Sequence, residues 1–143
     1  MKVRVGFGLG VRTHLNDASF LDVVDALEDL RYDSLWVSER IGSECPDPVV
    51  AMSMAAARTK KLKFGMSVMV LPGRNPVLLA KQLATLDRMS NGRLLPAFGL
   101  GVADAAEWAR LPPPAPPARA LPRGGRPAAV RRAGRARARR AVR

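Results

Sequence analysis

The sequence predicts an α/β fold: a parallel sheet with helices outside it, made of about four βα units of the kind that closes into a (β/α)8 barrel. Three observations carry this expectation. Apolar segments of strand character begin near residues 3, 34, 62 and 93, a period of about thirty that suits one strand, one helix and their turns. Asp47-Pro48 and Asn75-Pro76 each set a capping side chain before a proline, whose missing N–H costs nothing at the first helical position. Gly6, Gly8 and Gly10 alternate within the first strand, as close packing inside a barrel would need. A doubly wound dinucleotide fold is the competing architecture, with Glu39 as its ribose acid. It would want G-x-G-x-x-G at the first strand-to-helix turn, and here Val11 to Leu15 intervene before a helix can begin.

The elements follow in order. Val3, Val5, Phe7 and Leu9 alternate with Arg4 and glycines, which reads as a strand. Asn16-Asp17-Ala18-Ser19, with Asp22 three residues after Ser19, has the form of a capping box. Phe20, Val23, Val24, Leu27 and Leu30 then fall on one helical face. Ser34 to Ser38 forms a short second strand, and Pro48 opens the second helix. A third strand runs from Leu62 to Leu71. The helix from Pro76 aligns Leu79, Leu83, Leu86 and Met89 and stops at Asn91-Gly92, and a fourth strand covers Arg93 to Leu100.

Composition divides the chain. Residues 1–108 are expected to form the folded part, and 109–143 a low-complexity basic tail without order. From Leu111 onward only Ala, Arg, Pro, Gly, Leu and Val occur, with ten arginines and no acid. Residues 1–110 hold fourteen basic and twelve acidic residues, a net +2, so ten of the chain's twelve net positive charges belong to the tail. Such a tail reads as a basic arm for nucleic acid, as a solvated extension, or as a shifted frame of GC-rich DNA. The last is favoured, because basic arms ordinarily mix in Lys, Ser, Asn and base-stacking aromatics. Nucleic acid is then expected to bind only nonspecifically, through the tail. Cys45 is the sole cysteine, which excludes an intrachain disulfide and suits a reducing cytoplasm. The N-terminus lacks a continuous apolar run, no stretch reaches the length of a membrane helix, and no zinc or phosphate-loop motif occurs, so neither a membrane nor a metal is expected.

Four segments, in order, carry a specific resemblance: Tyr32-Asp33-Ser34-Leu35-Trp36-Val37-Ser38-Glu39, Asn75-Pro76, Leu86-Asp87-Arg88-Met89-Ser90-Asn91-Gly92-Arg93, and Phe98-Gly99-Leu100-Gly101. Together they resemble the bacterial luciferase-like monooxygenase superfamily over residues 3–108. The resemblance implies a TIM barrel that uses reduced FMN or the deazaflavin coenzyme F-420 on a small-molecule substrate. A complete barrel takes about 200 residues or more, so the chain looks like an N-terminal half. Such a half is expected to be catalytically silent and to self-associate through open barrel edges.

The site residues implied by the resemblance are these. Gly65-Met66-Ser67-Val68 matches a third-strand bulge whose non-proline cis bond, here between Ser67 and Val68, stands behind the ring in the deazaflavin-using branch, which tilts the choice toward F-420. An ordinary buried strand is the plain alternative. Glu39, at the carboxyl end of the second strand, matches an acid that contacts coenzyme or substrate and transfers protons. Relatives often follow it with histidine. Arg40 stands there instead, which removes the imidazole and offers a contact for an anionic substrate or a cofactor phosphate; a surface Glu39–Arg40 pair is the plain alternative. Gly99 and Gly101 match glycines that let backbone approach the cofactor, or else serve tight strand packing. Val102 occupies the place of a catalytic glutamate in some sugar-oxidising relatives. His14, in the loop after the first strand, is a further substrate-side candidate or a solvated loop residue. Asp87 and Arg88 read as structural caps or surface charges, and Cys45, with no neighbouring His or Cys, suggests neither a metal site nor a nucleophile. Apart from the resemblance, the Arg-rich tail supports a different class of function, a basic nucleic-acid-binding or interaction protein with a small α/β domain.

Overall fold

The computed structural model describes residues 3–14 and 16–112. The ten arginines that follow Leu111 lie outside the described residues, as does almost all of the expected 109–143 segment. Six strands and four helices alternate: β1 (Gly6–Leu9), α1 (Asp17–Asp29), β2 (Ser34–Val37), α2 (Pro48–Arg58), β3 (Lys63–Met66), β4 (Met69–Val70), α3 (Pro76–Met89), β5 (Leu94–Leu95), β6 (Phe98–Gly99) and α4 (Ala105–Trp108). All pairings are parallel. One sheet has the order β1-β2-β3-β5, and β4 pairs with β6 beyond it. Chain order is thus preserved across the sheet. A doubly wound fold reverses its strand order at the ligand crevice, and no reversal occurs among the described strands. The architecture is half of a TIM barrel.

The third and fourth expected strands are each broken in two. The third breaks at Ser67–Val68. The fourth breaks at Pro96-Ala97, where proline has no N–H to give the ladder. Register places Phe7, Leu35 and Phe64 side by side, then Leu9, Val37 and Met66. Of these, Leu35, Val37, Phe64 and Met66 are fully buried, against Val24, Met52 and Ala55 of the helices in the same apolar cluster. The opposite face carries Gly8, Trp36 and Gly65 in register, with Gly6 two positions earlier beside Ser34. A Cβ on Gly6 would meet Trp36 Nε1 at 3.0 Å, and one on Gly65 would meet Trp36 Cζ3 at 2.8 Å. The indole therefore lies across both glycines, and close packing explains these two. Gly8 and Gly10, expected to pack likewise, have open space where a Cβ would sit.

The helix caps follow the sequence with one change. Asp47 Oδ1 accepts from the Val49 and Val50 N–H groups, and Asn75 Oδ1 from those of Val77 and Leu78. The first helix begins at Asp17, two residues before Ser19: Asn16 is its cap and accepts from the Ser19 N–H. Leu30 and Met89, assigned to buried faces by periodicity, are exposed at helix ends. Leu30 is the C-cap of α1, and Met89 closes α3 just before the left-handed Asn91-Gly92 pair. At the amino end of the sheet Arg93, only 9% exposed, donates to Ser90 O, Thr59 Oγ1, Leu62 O and Ala56 O at 2.7–2.9 Å, with its guanidinium 5.1 Å from the Phe64 ring centre. Nearby, the Glu28 carboxylate accepts from the backbone N–H groups of Lys60, Lys61 and Leu62. No helix among the described residues is long and apolar enough to cross a membrane.

Candidate functional site

The carboxyl ends of the strands gather most of the expected site residues. The Ser67–Val68 peptide bond is cis, at the break between β3 and β4. Val68 is 41% exposed, and a Cβ on Gly99 would fall 2.5 Å from Val68 Cγ2. Gly99 is therefore a glycine because the Val68 side chain occupies its flank. Gly101 sits at φ +87°, a conformation that favours glycine, and its missing Cβ faces Val70. Ser67, Val68, Gly99 and Gly101 thus form one continuous ledge, with Phe98 and Leu100 exposed along it.

Glu39 reaches this ledge from β2. Its Oε2 accepts from the Val70 N–H at 2.7 Å, and its Oε1 is ion-paired with Arg74. The Glu39 side chain is only 6% exposed. Arg74 also donates from Nε to Val70 O at 3.0 Å, and from its terminal nitrogen to Asp47 Oδ2 at 3.0 Å. Burial pushes the Glu39 carboxyl above its ordinary range, and the nearby Asp47 charge adds to this. The Val70 N–H and the Arg74 charge pull the other way without restoring the ordinary value. Arg74 escaped the sequence reading. The signal was there in one respect: a buried acid calls for a cation, and Arg74 lies between the Gly73 turn and the Asn75 cap on the same rim. Nothing in the sequence distinguished it from Arg40.

Arg40 and His14 belong to other contacts. Arg40 does not pair with Glu39. It reaches Asp104 Oδ2 at 3.3 Å and Glu107 Oε2 at 3.5 Å, fastening the loop after β2 to α4. Glu107 is buried, accepts from the Gly42 N–H at 3.2 Å, and leaves Oε2 without a hydrogen bond, the Arg40 contact being an ion pair at longer range. With Gly42, Ser43, Ala106 and Arg110 these groups line a cavity of about 220 Å³. His14 Nδ1 lies 2.9 Å from Glu44 Oε2, both side chains well exposed. Cys45 Sγ receives the Arg40 N–H and the Ser43 hydroxyl, a loop tie.

The rim offers backbone without Cβ atoms at Gly99 and Gly101 beside the exposed Val68, and Gly8 and Gly10 have open space where a Cβ would sit.

Comparison with known proteins agrees with this geometry. The family model described as luciferase-like monooxygenase matches residues 5–121. Limonene 1,2-monooxygenase of Rhodococcus erythropolis is 33% identical over 104 residues, covering 67% of this chain and 26% of that protein. The F420-dependent glucose-6-phosphate dehydrogenase of Amycolatopsis mediterranei is 35% identical over 83 residues, covering 53% of this chain and 25% of its own length. Among solved structures, the oxygenating constituent of 3,6-diketocamphane monooxygenase from Pseudomonas putida, in complex with FMN, superposes with a TM-score of 0.66. It covers 76% of this chain and 32% of its own at 22% identity, a likeness of fold. The chain spans about a quarter to a third of the length of these relatives. With four βα units in chain order and the match over residues 5–121, the chain belongs to the luciferase-like monooxygenase family.

Proposed function

We propose that residues 3–112 are the first half of an oxidoreductase barrel that seats a flavin-type ring on the ledge of Ser67, Val68, Gly99 and Gly101. Relatives bind FMN or coenzyme F-420, and F-420 is the favoured cofactor here. The observation that carries the reading is the broken third strand, where the Val68 side chain at the break lies against Gly99 at the carboxyl rim. When bound, the ring would supply hydride or oxygen chemistry toward a small-molecule substrate. The chain's part is to wall the ring with valine and glycine backbone, to keep water from its inner side, and to hold the rim rigid. Arg40 retains exposure for an anionic group, although Asp104 and Glu107 already share its charge. His14 and Glu44 stand outside this proposal.

Four βα units leave β1 and the β5–β6 end of the sheet with one neighbour each among the described residues, and Val3, Val5, Phe98 and Leu100 are exposed there. The 143-residue chain by itself is expected to self-associate, to bind cofactor weakly and to show no turnover; a cytoplasmic setting belongs to the same reading. The test is to join residues 1–112 to the last four βα units of a relative and titrate F-420 and FMN, following cofactor fluorescence. Uptake of F-420 by the joined protein at least about tenfold more tightly than FMN (about 1.4 kcal/mol) is expected. Preference for FMN would overturn the choice of cofactor. A folded joined protein that takes neither would overturn the functional reading.

A further inference from the structure

We infer that Glu39 and Arg74 are positioning residues, a strut that fixes the Val70 backbone and with it the ring-facing ledge, and that Glu39 does not transfer protons. The role of the ledge rests on the proposed function; the strut itself does not. Its geometry is specific. One carboxylate oxygen of Glu39 accepts from the Val70 N–H at 2.7 Å, while Arg74 Nε donates to the Val70 carbonyl oxygen at 3.0 Å. Both polar groups of a single peptide residue are thus held by two side chains that are themselves ion-paired. Asp47 anchors the far end: Oδ2 receives Arg74 at 3.0 Å, and Oδ1 caps α2 through Val49 and Val50. The strut therefore ties the ends of β2 and β4 to the start of α2.

Val70 is the residue through which such a tie reaches the ledge. It is two positions from Val68, whose methyl group fills the flank of Gly99, and its own side chain lies against Gly101. Register pairs Val70 with Gly99 as well. A shift of the Val70 backbone would move Val68, Gly99 and Gly101 together. A proton-transfer acid, in contrast, needs a carboxyl oxygen directed at the reacting atoms. Both oxygens of Glu39 are engaged within the protein, and the side chain is almost fully enclosed.

The test is nuclear magnetic resonance of the full 143-residue chain, following the Glu39 carboxyl carbon and the Val70 amide proton through a pH titration. The charged and titratable groups facing Glu39 are Arg74 and Asp47. The Val70 amide is expected to move with the Glu39 midpoint, and this step disappears in Glu39→Gln. Hydrogen exchange at Val70 is expected to rise at least about tenfold in Glu39→Ala, the loss of one charge-assisted hydrogen bond, while Leu35 and Phe64 in the sheet core keep their protection. Arg74→Lys keeps the charge but concentrates its donors on one nitrogen, which cannot span Val70 O, Glu39 and Asp47 together, and it restores only part of the protection lost in Arg74→Met. A Val70 amide that ignores the Glu39 titration in the unaltered chain overturns the inference, and that measurement needs no variant. Equal loss of protection at Val70, Leu35 and Phe64 also overturns it, since that is the signature of general destabilisation. Because these readouts need no cofactor, they separate the two ideas. A joined protein that refuses both cofactors while Val70 follows Glu39 leaves the strut standing and removes the functional reading.

Discussion

Replacing Arg93 by methionine isolates how much of this fold depends on a single buried cation. The guanidinium makes four hydrogen bonds, to Ser90 O, Thr59 Oγ1, Leu62 O and Ala56 O, and so joins the end of α2, the start of β3 and the turn after α3. Methionine keeps much of the stem packed on Phe64 but leaves these acceptors without their donors. Hydrogen bonds to a charged group contribute about 1.5–3 kcal/mol each, and the acceptors recover some of this through relaxation and water, so the net loss is about 3–5 kcal/mol. A domain of this size has about 5–15 kcal/mol in all. The loss corresponds to a fall of roughly 15–30 °C in midpoint. Urea and thermal unfolding followed by Trp36 fluorescence measure it, with Arg93→Lys expected to lose about half as much. Arg88→Met, at an exposed position, should stay within about 0.5 kcal/mol of the parent. An Arg93→Met protein within about 1 kcal/mol of the parent would refute the reasoning. It would mean that the four acceptors find water as readily as they find the guanidinium.

Two further predictions concern the same framework. Burial alone would raise the Glu28 carboxyl, but the N–H groups of Lys60, Leu62 and Lys61 outweigh it and hold the carboxyl below its ordinary value of 4.5. Its contribution to stability is therefore fully present above about 4.5 and fades as pH falls through the lower folded value. The stability gap between the parent and Glu28→Gln should be flat at neutral pH and close on acidification; a gap that widens in acid would contradict the assignment. A Cβ on Gly65 would stand 2.5 Å from the Leu95 carbonyl oxygen and 2.8 Å from Trp36, whereas one on Gly8 meets nothing within 4 Å. Gly65→Ala should cost about 1–3 kcal/mol and disturb Trp36 emission, and Gly8→Ala should be close to neutral. Equal effects in the two would show that the Trp36 packing is not what requires Gly65.

The sequence made the repeating plan visible because local chemistry encodes it. Proline and its cap start α2 and α3 where Asp47-Pro48 and Asn75-Pro76 place them, and continuous apolar strands announce a sheet buried on its helix side. What stayed hidden is nonlocal. The partner of Glu39 is 35 positions away, and the sequence offered only the adjacent Arg40, which serves α4 instead. Periodicity also promised burial for Leu30 and Met89. It takes no account of where a helix runs out of neighbours, and both lie at that point. Conversely, the break in the fourth strand had a local sign in Pro96, which the apolar character of Arg93 to Leu100 overshadowed.

The unreversed order of the strands has a kinetic consequence. Each strand meets its neighbour after a loop of about thirty residues, so every pairing closes a short circuit, and the entropy of closure hardly changes from one step to the next. Such a sheet can assemble by accretion, with each finished step serving as the landing for the following one, and no late, distant contact is needed to lock the earlier ones.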